Sequence, residues 1–174
     1  MMMAGRHEQA HKEHINQYKM AHMVGVAEYM RERAEAYGLD ADVMYTVGLL
    51  HDIGYLEGHI GHEQVGADIL NRMGLSDDNE ITFSIRHHGE NPYDLEEQYG
   101  KLPDILILML EADMSVEKAG YRVGFRKRLQ DIGERYGYDH IAYQTASDAV
   151  SYVKEQWRER DIPAIRTDFS KERG

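Results

Sequence analysis

With 174 residues and a formal charge of −11, the chain has the length for one domain with a sizeable core, and its acidity argues against a broad nucleic-acid surface, which works by neutralising phosphates. It contains no cysteine, so disulfides and thiolate-bound zinc are excluded and any metal must be held by His, Asp and Glu. No apolar run reaches the roughly 20 residues of a bilayer span, and the opening Met-Met-Met-Ala-Gly-Arg-His lacks the apolar stretch of a secretion signal, so a cytoplasmic protein is expected.

Residues 1–17 are expected as a polar N-terminal helix, 18–160 as a single domain and 161–174 as a flexible tail. In the first segment His7, His11 and His14 recur at helical spacing and are read as a solvated face. Residues 18–37 predict a helix with Met23, Val26, Met30, Ala34 and Tyr37 on an apolar stripe and His22 at its border. Gly38 ends that helix and Asp40 caps the next, where Val43, Val47, Leu50 and His51 share a face, so that His51 points inward. The stretch Leu49-Leu50-His51-Asp52-Ile53-Gly54-Tyr55 thus sets an imidazole and a carboxylate at the end of an apolar helix, where both need a cation or another partner. Gly54 permits a sharp exit, and the glycine-rich connection to Gly61 carries His59, read as a loop histidine.

From His62 a further helix is predicted, with His62, Val65, Gly66, Ile69 and Met73 along one side and Gly66 suited to close helix contact. Ser76 is the expected cap of the following helix, which ends at His87-His88 before Gly89 and Pro92. Neighbouring helical residues diverge by about 100°, so both imidazoles reach one site only if the helix terminates there or two metals are present. Residues 90–101 read as a loop that could act as a lid. Pro103 starts a helix that is apolar nearly all round from Ile105 to Leu110 and therefore central. Asp113 continues it, and a carboxylate buried there costs several kcal/mol unless paired or metal-bound.

The chief basic cluster is Lys118, Arg122, Arg126, Lys127 and Arg128. With Tyr121, Phe125, Leu129, Ile132 and Tyr136 as the buried side of one helix, Arg122 and Arg126 stand one turn apart, where they either clamp a phosphate or pair with nearby acids. A last helix over residues 139–160 carries Tyr143, Ala146, Val150, Val153 and Trp157 on one stripe and is stopped by Pro163. Neither strand alternation nor an internal repeat is present.

In chain order the ligand-type residues read His22, His51-Asp52, His62, His87-His88, Asp113. Together with Gly48-Leu49-Leu50-His51-Asp52-Ile53-Gly54, His62-Glu63-Gln64-Val65-Gly66-Ala67-Asp68-Ile69-Leu70 and the Ala112-Asp113 ending of an apolar helix, this series resembles the HD superfamily of metal-dependent phosphohydrolases over residues 18–116. The resemblance implies an all-α, single-domain helical bundle of the HD type. It places His22, His51, Asp52 and Asp113 at a first metal site, and His62 and His87, with His88 beside them, at the second site of two-metal members, where Asp52 bridges. Imidazoles and carboxylates without thiolates suit one or two divalent ions of iron, manganese, nickel, cobalt or zinc. Two such ions about 3.5–4 Å apart acidify a bridging water and neutralise charge on a phosphoryl group. The expected function is hydrolysis of a phosphate ester or anhydride, with Asp52 and His62 catalytic and Lys118, Arg122 and Arg126 on the outer phosphates. The expected partner is a small phosphorylated substrate, a nucleotide by analogy with relatives, rather than extended nucleic acid or a membrane; a homodimer is left open.

Departures from particular subfamilies are visible. Tyr55 stands where cyclic-dinucleotide phosphodiesterases with an HD-GYP signature carry Lys, and Asn91-Pro92-Tyr93 only echoes their Gly-Tyr-Pro. His88 stands where the HD-type diadenosine tetraphosphate hydrolases usually have Thr. The same ligand order, with His-Asp-Ile-Gly followed by His-Glu-x-x-Gly-Ala, also resembles HD-fold di-iron oxygenases, and a non-catalytic nucleotide sensor is a third reading. Oxygen consumption marks the second, and phosphate release without oxygen marks the first.

Overall fold

The structure is a computed structural model that describes residues 4–58 and 60–165, with side chains from Gln17 onward. His59 and residues 166–174 lie outside the described residues, as do the side chains of His7, His11 and His14. Eight α-helices and no strand occur among the described residues, and the isolated bridge between Val116 and Arg122 is the only β-type pairing among them. The fold is all-α, as expected. None of these helices is long and apolar enough to cross a membrane.

Helix α1 (Ala4–Arg33) runs unbroken past residue 17, tightens into a 3-10 turn over Ala34–Tyr37 and stops where Gly38 adopts a φ of 67°. Asp40 caps α2 (Ala41–Leu50), accepting the Val43 N–H at 2.8 Å. These two helices pack closely because position 48 is glycine: a Cβ there would lie 2.5 Å from the Ala27 Cα. After a 3-10 turn over Ile53–Leu56 come α3 (His62–Arg72) and α4 (Glu80–His87). Ser76 does not cap α4, which begins later; the side chain of Asn79 accepts the Ile81 N–H instead.

Residues expected as a lid-like loop hold α5 (Pro92–Tyr99). Asn91 accepts the Tyr93 N–H at 3.0 Å, Pro92 supplies a preset φ at the helix start, and Leu95 is buried. A helix of 8 residues in which only Pro92 and Leu95 are buried offers too little periodicity to be read from sequence. The central helix is α6 (Asp104–Asp113), whose Ile105 to Ala112 are all buried, against α1, α4 and α8 (Ile141–Glu159).

The basic stretch is not one helix. The chain turns back on itself between Val116 and Arg122, with Val123 donating to Ser115 O at 2.9 Å, and α7 (Phe125–Tyr136) begins only afterwards. Gly120 makes the turn at φ 86° and approaches α1 so closely that a Cβ would lie 2.3 Å from Ala21 O. Tyr121, expected in the core, is accordingly 68% exposed.

One buried acid binds these elements together. The fully buried Glu111 accepts from Tyr29 OH at 2.8 Å, Arg33 Nε at 2.7 Å and Trp157 Nε1 at 2.8 Å, and also from Tyr37 OH. Burial and the adjacent carboxylate push both tyrosine phenols far up, so they remain donors. Beyond α8, Ile162 is buried and Pro163 O accepts from Arg33 at 2.8 Å.

Candidate metal centre

Six of the seven residues singled out as ligands converge. His22 comes from α1, His51 and Asp52 from the end of α2, His62 from the first turn of α3, His88 from just past α4, and Asp113 from the end of α6. They form two groups within ligand-sharing distance, His22 with His51 and Asp113, and Asp52 with His62 and His88. Asp52 links them: its Oδ1 lies 3.1 Å from His62 Nε2 and 3.2 Å from His88 Nε2, while Oδ2 lies 3.4 Å from His51 Nε2. His22 Nε2 is 2.8 Å from Asp113 Oδ1.

All four imidazoles face inward through the same nitrogen. In three of them Nδ1 is held by a carbonyl oxygen that can only accept, Glu117 O for His22 at 3.1 Å, Gly48 O for His51 at 2.7 Å and Ile85 O for His88 at 2.7 Å, while His62 Nδ1 lies 3.2 Å from Glu63 Oε2. Nδ1 therefore carries a hydrogen in His22, His51 and His88, and Nε2 is presented to the centre, the outer bonding that fixes metal-ligating histidines. Tyr55 stacks on His62 at 3.9 Å and 15°, steadying the fourth ring.

His51 shows that the arrangement fits a cation. Burial holds its pKa below the ordinary value, so the ring is neutral and its Nε2 bears a lone pair. That buried atom has no hydrogen-bond partner and faces Asp52 Oδ2 at 3.4 Å and Asp113 Oδ1 at 3.9 Å. A lone pair opposed to two carboxylates is unfavourable unless positive charge lies between them, and nitrogen and oxygen donors without sulfur suit divalent transition metals.

The other groups respond to the same crowding. Burial would raise Asp52, but adjacent His51 and the bonds from His62 and His88 hold it well below the usual carboxylate range. Burial would lower His88, but the bond to Asp52 and that carboxylate's charge prevail and push it up to about 9. A metal must take Nε2 from that proton, so uptake should release protons and tighten as pH rises towards about 9. Metal titrations of the stripped protein between pH 6 and 9, in buffers of differing ionisation enthalpy, check this; pH-independent affinity would contradict it.

Gly54 has a sharper role than the exit expected of it. Its φ is not positive, and a Cβ would lie 1.8 Å from His62 O and 2.8 Å from Gly66 N. Backbone approach lets the 3-10 turn seat the first residue of α3. Gly54→Ala should displace His62, cost about 1–3 kcal/mol or more and weaken the metal group containing it. Thermal melts and metal stoichiometry test this.

His87 is not brought into the centre. Its ring lies against Phe83 at 4.5 Å and Tyr99 at 5.4 Å, and its Nδ1 meets Glu90 Oε1 at 2.8 Å. Helix α4 ends at His87, and the turn between neighbours sends His88 towards the other imidazoles and the equally buried His87 against Phe83 and Tyr99.

The substrate-side residues also rearrange. Arg122 lies in the turn before α7, paired to Glu32 at 2.8 Å, and Arg126 is exposed; neither lines the cleft over the metal groups. That cleft, of about 380 Å³, is faced by Lys118 together with Lys19, Arg128 and Arg135. Arg128 donates from Nε to Asp113 O at 3.3 Å. In sequence Arg128 stands in the basic cluster without a substrate role and Lys19 and Arg135 go unmarked, though Lys19 lies one turn before His22 and Arg128, Ile132 and Arg135 repeat at the spacing of one helical face.

A family model described as HD domain matches residues 20–114. The chain belongs to the HD-domain family. All six converging residues fall within the matched span of this HD domain. It is similar to ribonuclease Y of Fervidobacterium nodosum, 33% identical over 134 residues that cover 71% of this chain and 24% of the relative. Ribonuclease Y of Pseudothermotoga lettingae is 42% identical over 72 residues, 40% of this chain and 14% of the relative. A deoxyguanosinetriphosphate triphosphohydrolase-like protein of Caulobacter vibrioides is 34% identical over 76 residues, 43% of this chain and 19% of its own. The HD-domain chain thus spans a quarter or less of these relatives. No solved structure matches significantly.

Proposed function

We propose that this HD domain is a metal-dependent phosphohydrolase acting on a nucleotide or a related phosphate ester or anhydride. The observation that carries the reading is Asp52 joined to two His/Asp groups whose four imidazoles all present Nε2, beneath a cleft with cationic walls. His22, His51, Asp52 and Asp113 would hold one ion, and Asp52, His62 and His88 a second. Bound divalent ions supply Lewis acidity, acidifying a water and neutralising phosphoryl charge. The side chains do the rest. Asp52, kept ionised, orients the attacking water, while His62 and His88 fix that carboxylate from 3.1 and 3.2 Å. Lys19 and Arg128 face the anionic oxygens from the cleft wall, and Ile132, Tyr136 and Ala142 narrow the space open to bulk water.

The names of the relatives, a ribonuclease and a triphosphohydrolase-like protein, support phosphorus–oxygen cleavage on nucleotide material. A cytoplasmic setting fits a chain without cysteine. The test is metal analysis of protein purified anaerobically, then a screen of nucleotides, dinucleoside polyphosphates and cyclic dinucleotides under nitrogen. Phosphate or nucleotide release is expected. Oxygen consumption without such release, or nucleotide binding with no turnover in metal-replete protein, rejects the reading in favour of an oxygenase or a sensor.

A further inference from the structure

We propose that a second cleft, adjoining the one over the metal groups, is a distal anion subsite, so that the substrate carries at least two phosphoryl groups. The inference rests on the hydrolase reading for the word substrate, though not for the subsite itself. This second cleft has a volume of about 370 Å³ and shares Tyr18, Lys118, Arg128 and Arg135 with the first. The two cavities therefore lie side by side with cationic walls in common, and of the two the second is lined by none of the His/Asp groups.

Charge makes the cleft specific. The chain carries a net −11, yet Lys118, Arg128 and Arg135 converge here. Two acids also line the cleft, but Asp131 is engaged by Lys127 at 2.7 Å, and with Arg128 Nη2 already 4.0 Å from Asp113 Oδ1, Glu117 is left against Lys118 and Arg135. No ion pair joins Lys118 or Arg135 to an acid among the described residues. Their crowding is felt: burial first, then the nearby Arg135 and Arg128 charges, holds the Lys118 pKa below its ordinary value. Positive charges held together in excess of the acids beside them attract an anion, and an arginine fork beside a lysine point charge matches phosphate oxygens.

Arg128 sets the relation between the two anions. Anchored to Asp113 O, it belongs to the metal-side cleft and to the second one at once. A phosphoryl group over the His/Asp residues and a second one between Lys118 and Arg135 would share its guanidinium. The favoured substrate class is therefore a small di- or polyphosphorylated molecule, such as a nucleoside triphosphate, in preference to a monoester.

The test begins with inorganic pyrophosphate titrated calorimetrically into the full chain stripped of metal with EDTA. Stripping removes the ions that would draw a phosphoryl group to the His/Asp residues, so the binding that remains reports on the cationic walls the two clefts share. Lys118→Gln and Arg135→Gln should each weaken binding about 10-fold, with Arg135→Lys recovering part of the loss. Lys101→Gln removes the same charge at an exposed position lining neither cleft and should leave binding unchanged. In metal-loaded protein the Lys118→Gln and Arg135→Gln changes should raise KM for a nucleoside triphosphate about 10-fold more than for 4-nitrophenyl phosphate. No pyrophosphate binding, equal weakening by Lys101→Gln, or equal KM effects on the two substrates would overturn the subsite. Residue-specific pyrophosphate binding in a protein that hydrolyses neither compound would instead overturn the hydrolase reading and leave the subsite standing.

Discussion

Asp52→Ala is expected to strip the protein of bound metal and to lower phosphate release by at least about 10³-fold. Its two oxygens reach His51, His62 and His88, so it alone joins the two ligand groups. Without it, His62 and His88 lose their common acceptor, and the remaining group of His22, His51 and Asp113 has one carboxylate against two imidazoles. His51→Ala should act in the same direction by removing the buried nitrogen that has no other partner. Metal per chain by elemental analysis and phosphate release by a colorimetric assay are the readouts. Retained metal with full turnover in either variant would reject the assignment.

Glu111→Ala should have the largest effect on stability. The change leaves Arg33, Tyr29, Tyr37 and Trp157 as inward-facing donors around a cavity, and removing one partner of a buried charged pair costs about 3–5 kcal/mol. For a domain of this size the melting temperature should fall by roughly 10 °C. Glu111→Gln retains an acceptor but forfeits the charge facing Arg33, so an intermediate loss is expected. A melting temperature within about 2 °C of the parent for Glu111→Ala would show that the network contributes little.

What could be read from the chain follows from how many residues carry each signal. The long helices were legible because their apolar stripes repeat over several turns, and His51 was placed inward on that ground alone. Helix α5 escaped because it buries only Pro92 and Leu95, too few to show a period, although Asn91-Pro92 is a strong start signal. Choosing between His87 and His88 needed the end of α4 to within one residue, finer than helix boundaries can be read. Arg122 was misplaced because Tyr121 and Phe125 imitate helical spacing across a turn that Gly120 makes possible. Glu111 stayed hidden since a single acid in an apolar run gives no hint of donors arriving from α1 and α8.

Residues 111 and 113 are two positions apart on α6, about 200° around its axis. One carboxylate therefore locks the helix to the scaffold while the other looks out at the imidazoles on the opposite side. Turning the shaft to swing Asp113 away would drag Glu111 out of four donors, so that motion is denied. Lys19 lies 2.8 Å over the Tyr55 ring in the lining of the cleft, so the rate of metal exchange is expected to answer to changes at that pair rather than to loosening of the helical frame.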